Sequence, residues 1–127
     1  MNKIIHGDCL EVMKTLEDNS IDMVLTSPPY DNLRDYDGYT FDFEGIAKEI
    51  FRVLKQGGVC VWVVGDATIK GSETGTSFKQ ALYFKEIGFN LHDTMIFQKK
   101  NPIPQIYRKR YNNIFEYMFV FSKGEVK

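Results

Sequence analysis

At 127 residues, 43% of them hydrophobic and 26% charged, the chain suffices for one compact domain with a real core and is too short for two. Its apolar runs fall well short of the roughly 20 residues needed to cross a membrane. The opening Met1-Asn2-Lys3-Ile4-Ile5 lacks a signal-peptide pattern, so a cytoplasmic location is expected. Two distant cysteines, Cys9 and Cys60, are too few for a disulfide framework or a zinc cluster, and both are expected in the core. His6 and His92 are isolated, so no metal site is expected.

The net charge of −1 conceals an uneven distribution. Eleven of the seventeen acidic side chains lie between residues 8 and 49, whereas residues 99–110 hold five basic residues and no acidic one. Binding of an anionic partner follows the local patch rather than the total.

In chain order, residues 3–6 read as a short strand. Asp8 can cap a helix reaching about Leu16, with Glu11 completing a capping-box-like pair. Residues 21–26 read as a buried strand, and residues 27–41 form a loop longer than a simple connector. From Asp42 to Leu54, Phe43, Ile46, Ala47, Ile50, Phe51 and Leu54 recur at spacings of three and four, which predicts a helix stopped by Gly57-Gly58. Residues 59–64 are almost continuously apolar, as in a strand covered on both faces. A polar loop covers residues 65–75. Thr76 or Ser77 then caps a helix that runs to Gly88, and residues 89–98 and 114–122 form two strands joined by a basic, proline-containing loop. The sum is an α/β fold with a mainly parallel sheet and an antiparallel hairpin at its C-terminal end. In such sheets ligands sit at the carboxyl ends of the strands, here Gly7-Asp8 and residues 27–41 and 65–75.

Ser27-Pro28-Pro29-Tyr30 stands at one of these strand ends. Two consecutive prolines fix φ twice and remove two N–H donors, so the backbone is stiff and its carbonyls stay available. Ser27, before a proline, is biased to an extended conformation. The motif reads either as a plain Pro-Pro turn or as a rigid bracket for a flat ring with an exocyclic amine. In the bracket, Ser27 and the Pro28 carbonyl accept the amine N–H bonds and Tyr30 stacks on the ring. Lys99, Lys100, Arg108, Lys109 and Arg110, interleaved with Tyr107 and Tyr111, read either as a solvated loop or as a phosphate-contacting segment.

Asp22-Met23-Val24-Leu25-Thr26-Ser27-Pro28-Pro29-Tyr30, preceded by Gly7-Asp8-Cys9-Leu10-Glu11-Val12-Met13, resembles the amino-methyltransferase family of DNA methylases. The likeness continues through Arg52-Val53-Leu54-Lys55-Gln56-Gly57-Gly58, Val61-Trp62-Val63-Val64-Gly65-Asp66 and Phe115-Glu116-Tyr117-Met118-Phe119-Val120-Phe121-Ser122-Lys123, and so covers nearly the whole chain. It implies a Rossmann-like three-layer fold, S-adenosylmethionine as cofactor, and methylation of cytosine N4 or adenine N6 in DNA. The setting it implies is restriction-modification in a bacterial, archaeal or phage-infected cell. By the resemblance, Ser27, Pro28, Pro29 and Tyr30 hold the target amine and flipped base, and Ser27 and Pro28 also border the cofactor. Asp8 lies near the adenosine moiety unless it is only a helix cap. The basic residues contact DNA, and the closing strand helps wall the base pocket. Ser27 leans towards cytosine, because enzymes with Asp at that position resemble the adenine group. Neither cysteine has a catalytic task.

One family feature is missing. No segment fits the glycine-rich Phe-x-Gly-x-Gly loop that takes the cofactor's methionine end. The chain thus resembles the catalytic half of a methyltransferase, residues 1–127 forming an incomplete domain. A second polypeptide or a missing C-terminal half is expected to carry the loop, and a free sheet edge is expected to favour association, including self-association. Two other classes stay open: a non-catalytic DNA-binding or regulatory remnant of the fold, and a methyltransferase for another planar amine or amide, such as an RNA base or a glutamine side chain.

Overall fold

The computed structural model describes residues 2–29, 41–101, 111 and 113–126. The elements in order are α1 (Cys9–Met13), β1 (Ile21–Thr26), α2 (Phe43–Val53), β2 (Leu54–Val64), β3 (Thr68–Ile69), β4 (Ser72–Glu73), α3 (Thr76–Glu86), β5 (Asn90–Gln98) and β6 (Phe115–Ser122). The main sheet has the order β1-β2-β6-β5, with β1 parallel to β2 and β6 antiparallel to both neighbours. Three of the four strands therefore run in one direction, and β5 with β6 makes the expected C-terminal hairpin. The hairpin is not simply appended at the edge. β6 slots between β2 and β5, where Val59 to Val64 pair with Ser122 back to Tyr117 without a break.

α2 forms as its periodicity dictates. The Asp42 carboxylate caps it by accepting from Gly45 N–H at 3.1 Å, and Ile46, Ala47, Ile50 and Val53 are buried. The helix ends at Val53, earlier than the glycines suggest, because Leu54 turns to an extended conformation (ψ 138°) and opens β2. Gly57, at φ 83°, then takes up the irregularity inside that strand. Arg52 holds α1 against α2. Its Nη2 donates to Met13 O and its Nη1 to Leu16 O, both at 2.8 Å, while Nη1 and Nε pair with Asp18 and Glu49. A cationic donor thereby reaches the carbonyls at and beyond the C-terminal end of α1, Met13 O also accepting from Leu16 N–H.

All three helices contribute to one core, against the sheet face that carries Cys60, Trp62, Val64, Phe119 and Phe121. Aromatic rings dominate it: Phe84 stacks on Phe121 at 4.4 Å between centroids and meets Trp62 and Phe43 edge-on. Such pairs add about 0.5–1.5 kcal/mol beyond the area they bury. The Trp62 indole N–H reaches Gln80 Oε1 of α3 at 3.0 Å, so both buried polar groups are satisfied.

Several expectations need correction. Residues 3–6 form no strand; they are irregular, and Ile4 is fully exposed. α1 stops at Met13 rather than Leu16, and Glu11 pairs with Lys14 at 3.0 Å instead of closing a capping box. β1 is only partly buried, with Met23 50% and Leu25 66% exposed. Residues 65–75 contain the small β3–β4 hairpin, turned by Lys70 and Gly71 at positive φ. α3 has Gly75 at its N-cap without a side-chain bond, so neither Thr76 nor Ser77 caps it. Cys9 is exposed, unlike Cys60. Finally, among the described residues only one face of the sheet is covered by helices, although β2 is apolar on both.

Candidate active site

The strand directions bring the carboxyl ends of β1, β2 and β5 and the amino end of β6 to one edge. Ser27 follows β1 there. Ser27 is exposed, Pro28 buried and Pro29 half-buried, so the bracket is anchored by its first proline. Tyr30 lies outside the described residues. Beneath the bracket is a cavity of about 200 Å³. Thr26, Ser27, Pro28 and Pro29 form one wall, Cys9 and Met13 of the α1 region another, and Trp62 reaches it from β2. Its lining is mainly apolar.

Asp8 stands at the head of α1, next to Cys9. Its Oδ1 accepts from Leu10 N–H at 2.9 Å, so it is a true N-cap, and it is exposed. The cap occupies one carboxylate oxygen, and the cavity wall begins one residue later, at Cys9. At the end of β2, Asp66 is committed to α3: it accepts from the Ser77 N–H and hydroxyl. That role was missed in the sequence, where nothing local links two residues eleven apart.

The basic segment is divided. Lys99 extends the β5–β6 hairpin through its N–H to Ile114 O at 2.7 Å, and its ammonium lies 3.6 Å from Glu116 across the hairpin. Lys100 is exposed. Arg108, Lys109 and Arg110 lie outside the described residues. Lys99 is therefore partly neutralised by a carboxylate that a count over residues 99–110 does not include.

An aromatic ladder also reaches this edge. Phe115, Tyr117, Phe119 and Phe121 alternate along β6, with Tyr117 stacked on Phe119 and met edge-on by Phe115 and Phe78. The inner rungs are buried, while Phe115 is 39% and Phe78 48% exposed. The period of two in β6 was the available sequence signal. Among the described residues no group of three His, Cys, Asp or Glu side chains is placed to hold a metal ion. No helix of the described residues is long and apolar enough to cross a membrane.

The family described as DNA methylase, the N6/N4 methyltransferases, matches residues 21–127. The chain belongs to this family. Among relatives of this methylase chain, the orphan methyltransferase M.BamHII of Bacillus amyloliquefaciens is 62% identical over 115 residues, which span 90% of this chain and 43% of that protein. The type II beta methyltransferase M.BslI of Bacillus sp. (strain NEB-606) is 33% identical, covering 95% of this chain and 16% of its own length. In three dimensions the chain is similar to the PvuII DNA methyltransferase (cytosine-N4-specific), with a TM-score of 0.78, 26% identity and coverage of 94% and 48%. It is also similar to a DNA modification methylase of Thermus thermophilus in complex with S-adenosyl-L-methionine, with a TM-score of 0.74, 27% identity and coverage of 93% and 51%. The methylase chain thus spans about half or less of the proteins it matches here. The Rossmann-like methyltransferase fold is borne out.

Proposed function

We propose that this chain supplies the catalytic half of a DNA methyltransferase that transfers a methyl group from S-adenosylmethionine to cytosine N4 or adenine N6, with Ser27 favouring cytosine. The observation that carries the reading is the Ser27-Pro28-Pro29 bracket, set over an apolar cavity at the carboxyl edge of the sheet in a chain of this family. Restriction-modification in the cytoplasm of a bacterial, archaeal or phage-infected cell is the setting that fits.

The residues present fit part of the cofactor and base. An apolar cavity with a hydroxyl and carbonyl rim suits a flat heteroaromatic ring, yet about 200 Å³ is below the roughly 300–1,000 Å³ of a complete small-molecule site. Bound S-adenosylmethionine supplies an electrophilic sulfonium methyl. The tasks of this chain are positional. Ser27 and the Pro28 carbonyl accept the two N–H bonds of the target amine, which favours a tetrahedral nitrogen and loosens its delocalisation into the ring. Tyr30 stacks on the extruded base, whose extrusion costs a few kcal/mol. Asp8 offers its carboxylate to a sugar hydroxyl, and Ser27 and Pro28 border the cofactor. The closing strand helps wall the base pocket, and Lys99, Lys100, Arg108, Lys109 and Arg110 contact DNA phosphates.

The partners are DNA and a segment carrying the glycine-rich loop; self-association through a free sheet edge is the alternative partner. A non-catalytic DNA-binding remnant is the second reading, favoured only by the missing Phe-x-Gly-x-Gly. The deciding experiment incubates the chain and the complementary half of the Bacillus amyloliquefaciens relative with DNA and S-adenosylmethionine, and identifies the modified nucleoside by mass spectrometry. N4-methylcytosine or N6-methyladenine that disappears with Ser27→Ala is expected. Unmodified DNA from a mixture that still binds DNA returns the remnant reading.

A further inference from the structure

We infer that two copies of this chain associate through the open edges of their β5 strands, paired antiparallel about a two-fold axis at Ile96. The inference rests on the geometry and sequence of β5 and stands apart from the activity proposed above. Three observations carry it.

The first is the edge itself. β5 ends the sheet on the side opposite β1 and pairs with β6 alone among the described residues. All nine residues of β5 are exposed, including Met95 at 48%, Ile96 at 52% and Phe97 at 49%. The register shift lies between Leu91 and Asp93, so Asp93 to Gln98 runs regularly against β6, with no proline to blunt the edge. A regular, apolar edge of this length is a template for another strand.

The second is the direction of the free backbone groups. The Lys99 N–H reaches Ile114 O at 2.7 Å, so Lys99 faces the β6 side, and alternation turns Asp93, Met95 and Phe97 the same way. Thr94, Ile96 and Gln98 therefore aim their N–H and C=O groups outwards. The Thr94 N–H agrees: it donates to the Asp93 carboxylate at 2.9 Å rather than to the ladder. Antiparallel pairing about Ile96 sets Ile96 against Ile96 of the second copy and Thr94 against Gln98. All three outward residues then exchange backbone hydrogen bonds. Gln98 O of the second copy takes over the Thr94 N–H and frees the Asp93 carboxylate.

The third is the side-chain pattern. Asp93-Thr94-Met95-Ile96-Phe97-Gln98-Lys99 is self-complementary about Ile96. In this register Asp93 faces Lys99 of the second copy, and Met95 faces Phe97. Both pairs fall at non-hydrogen-bonded positions, where Cα atoms are about 4.5 Å apart and side chains meet most closely. The neighbouring registers, centred on Met95 or Phe97, would set Asp93 against Phe97 or Lys99 against Met95. Lys99, 3.6 Å from Glu116 of its own hairpin, thus joins two carboxylates, and DNA contact in the paired form falls to the other basic residues of its segment. Because one patch serves both copies, the assembly closes at two and covers both edges.

Sedimentation of the 127-residue chain across a concentration series tests the pairing. A reversible dimer is expected. Asp93→Lys and Lys99→Glu should each weaken it about tenfold or more, because each sets like charges opposite one another. An equimolar mixture of the two variants should recover the parent affinity, since the exchanged charges then face each other at both ends of the pairing. Ile96→Lys, which brings two ammonium groups to the axis, should disperse the dimer, and Lys79→Glu on α3 should do nothing. Urea midpoints near that of the parent chain establish that each variant is folded. A chain that stays monomeric up to about 100 μM, a dimer indifferent to Asp93→Lys and Lys99→Glu, or folded variants that do not recover on mixing overturns the inference.

Discussion

The Asp66 carboxylate caps α3 from eleven residues upstream: its Oδ1 accepts from Ser77 N–H at 2.8 Å, and its Oδ2 accepts from the Ser77 hydroxyl at 2.5 Å. Gly75 stands at the N-cap and has no side chain to offer, so the last residues after β2 provide what the helix lacks. The pair fixes the start of α3 to the strand end beside the candidate site. Asp66→Ala should cost about 0.5–2 kcal/mol, the range of a lost N-cap, read as a lower urea midpoint with unchanged slope. Ser77→Ala, which keeps the backbone donor, should cost less. The double variant should fall short of the sum, because both changes remove one shared contact.

Cys60 gives the fold a pH signature. Burial pushes its thiol from an ordinary 9.0 to about 12. Between those values the unfolded chain releases the proton and the native chain keeps it, so its contribution to stability is complete below about pH 9 and falls as pH rises towards 12. Denaturant melts across this window should show the decline, and Cys60→Ala should flatten it. Burial acts on Lys123 in the opposite sense, lowering its pKa where the ammonium donates to Leu54 O and Asn19 Oδ1. Lys123→Met should therefore steepen the decline. A thiol reagent at neutral pH should modify Cys9 in the native chain and Cys60 only after unfolding.

S-adenosylmethionine should bind the isolated chain weakly or not at all, since only the Asp8 side and the Pro-Pro bracket are present. Isothermal titration checks this. A dissociation constant near 1 μM, about 8 kcal/mol of binding free energy, shows that the glycine-rich loop is dispensable.

Tyr30→Ala in the assembled enzyme should abolish most methyl transfer and leave the melting temperature unchanged. Loss of base stacking accounts for about 1–3 kcal/mol, and a misplaced amine lowers the rate further. Tyr30→Phe should be milder, because the ring face remains. A mismatch at the target base lowers the extrusion cost and should partly rescue Tyr30→Ala. Full activity of Tyr30→Ala on duplex DNA removes the base-pocket role.

Neutralising Lys109 and Arg110 together should flatten the slope of log affinity against log salt by about 1.8. Fluorescence anisotropy with the assembled protein and a DNA duplex measures it. An unchanged slope with unchanged affinity makes the segment a solvated loop.

The local rules carried far along this chain. The three-and-four spacing from Phe43 to Ile50 located α2 and its buried face, because a helix repeats every 3.6 residues whatever surrounds it. The same holds for Asp8 as an N-cap, and for the Ser27-Pro28-Pro29 bracket at a strand end, because proline restricts the backbone locally. What failed depended on neighbours. Residues 3–6 and the outer face of β2 have strand-like and doubly apolar sequences, but a strand exists only when another strand takes its hydrogen bonds, and a face is buried only when something packs on it. The insertion of β6 between β2 and β5, the reach of Asp66 to Ser77, the pairing of Lys99 with Glu116 and the exposure of Cys9 were likewise decided by tertiary structure alone. Each depends on residues whose separation along the chain leaves no local periodicity, so only the folded arrangement of the elements brings it about.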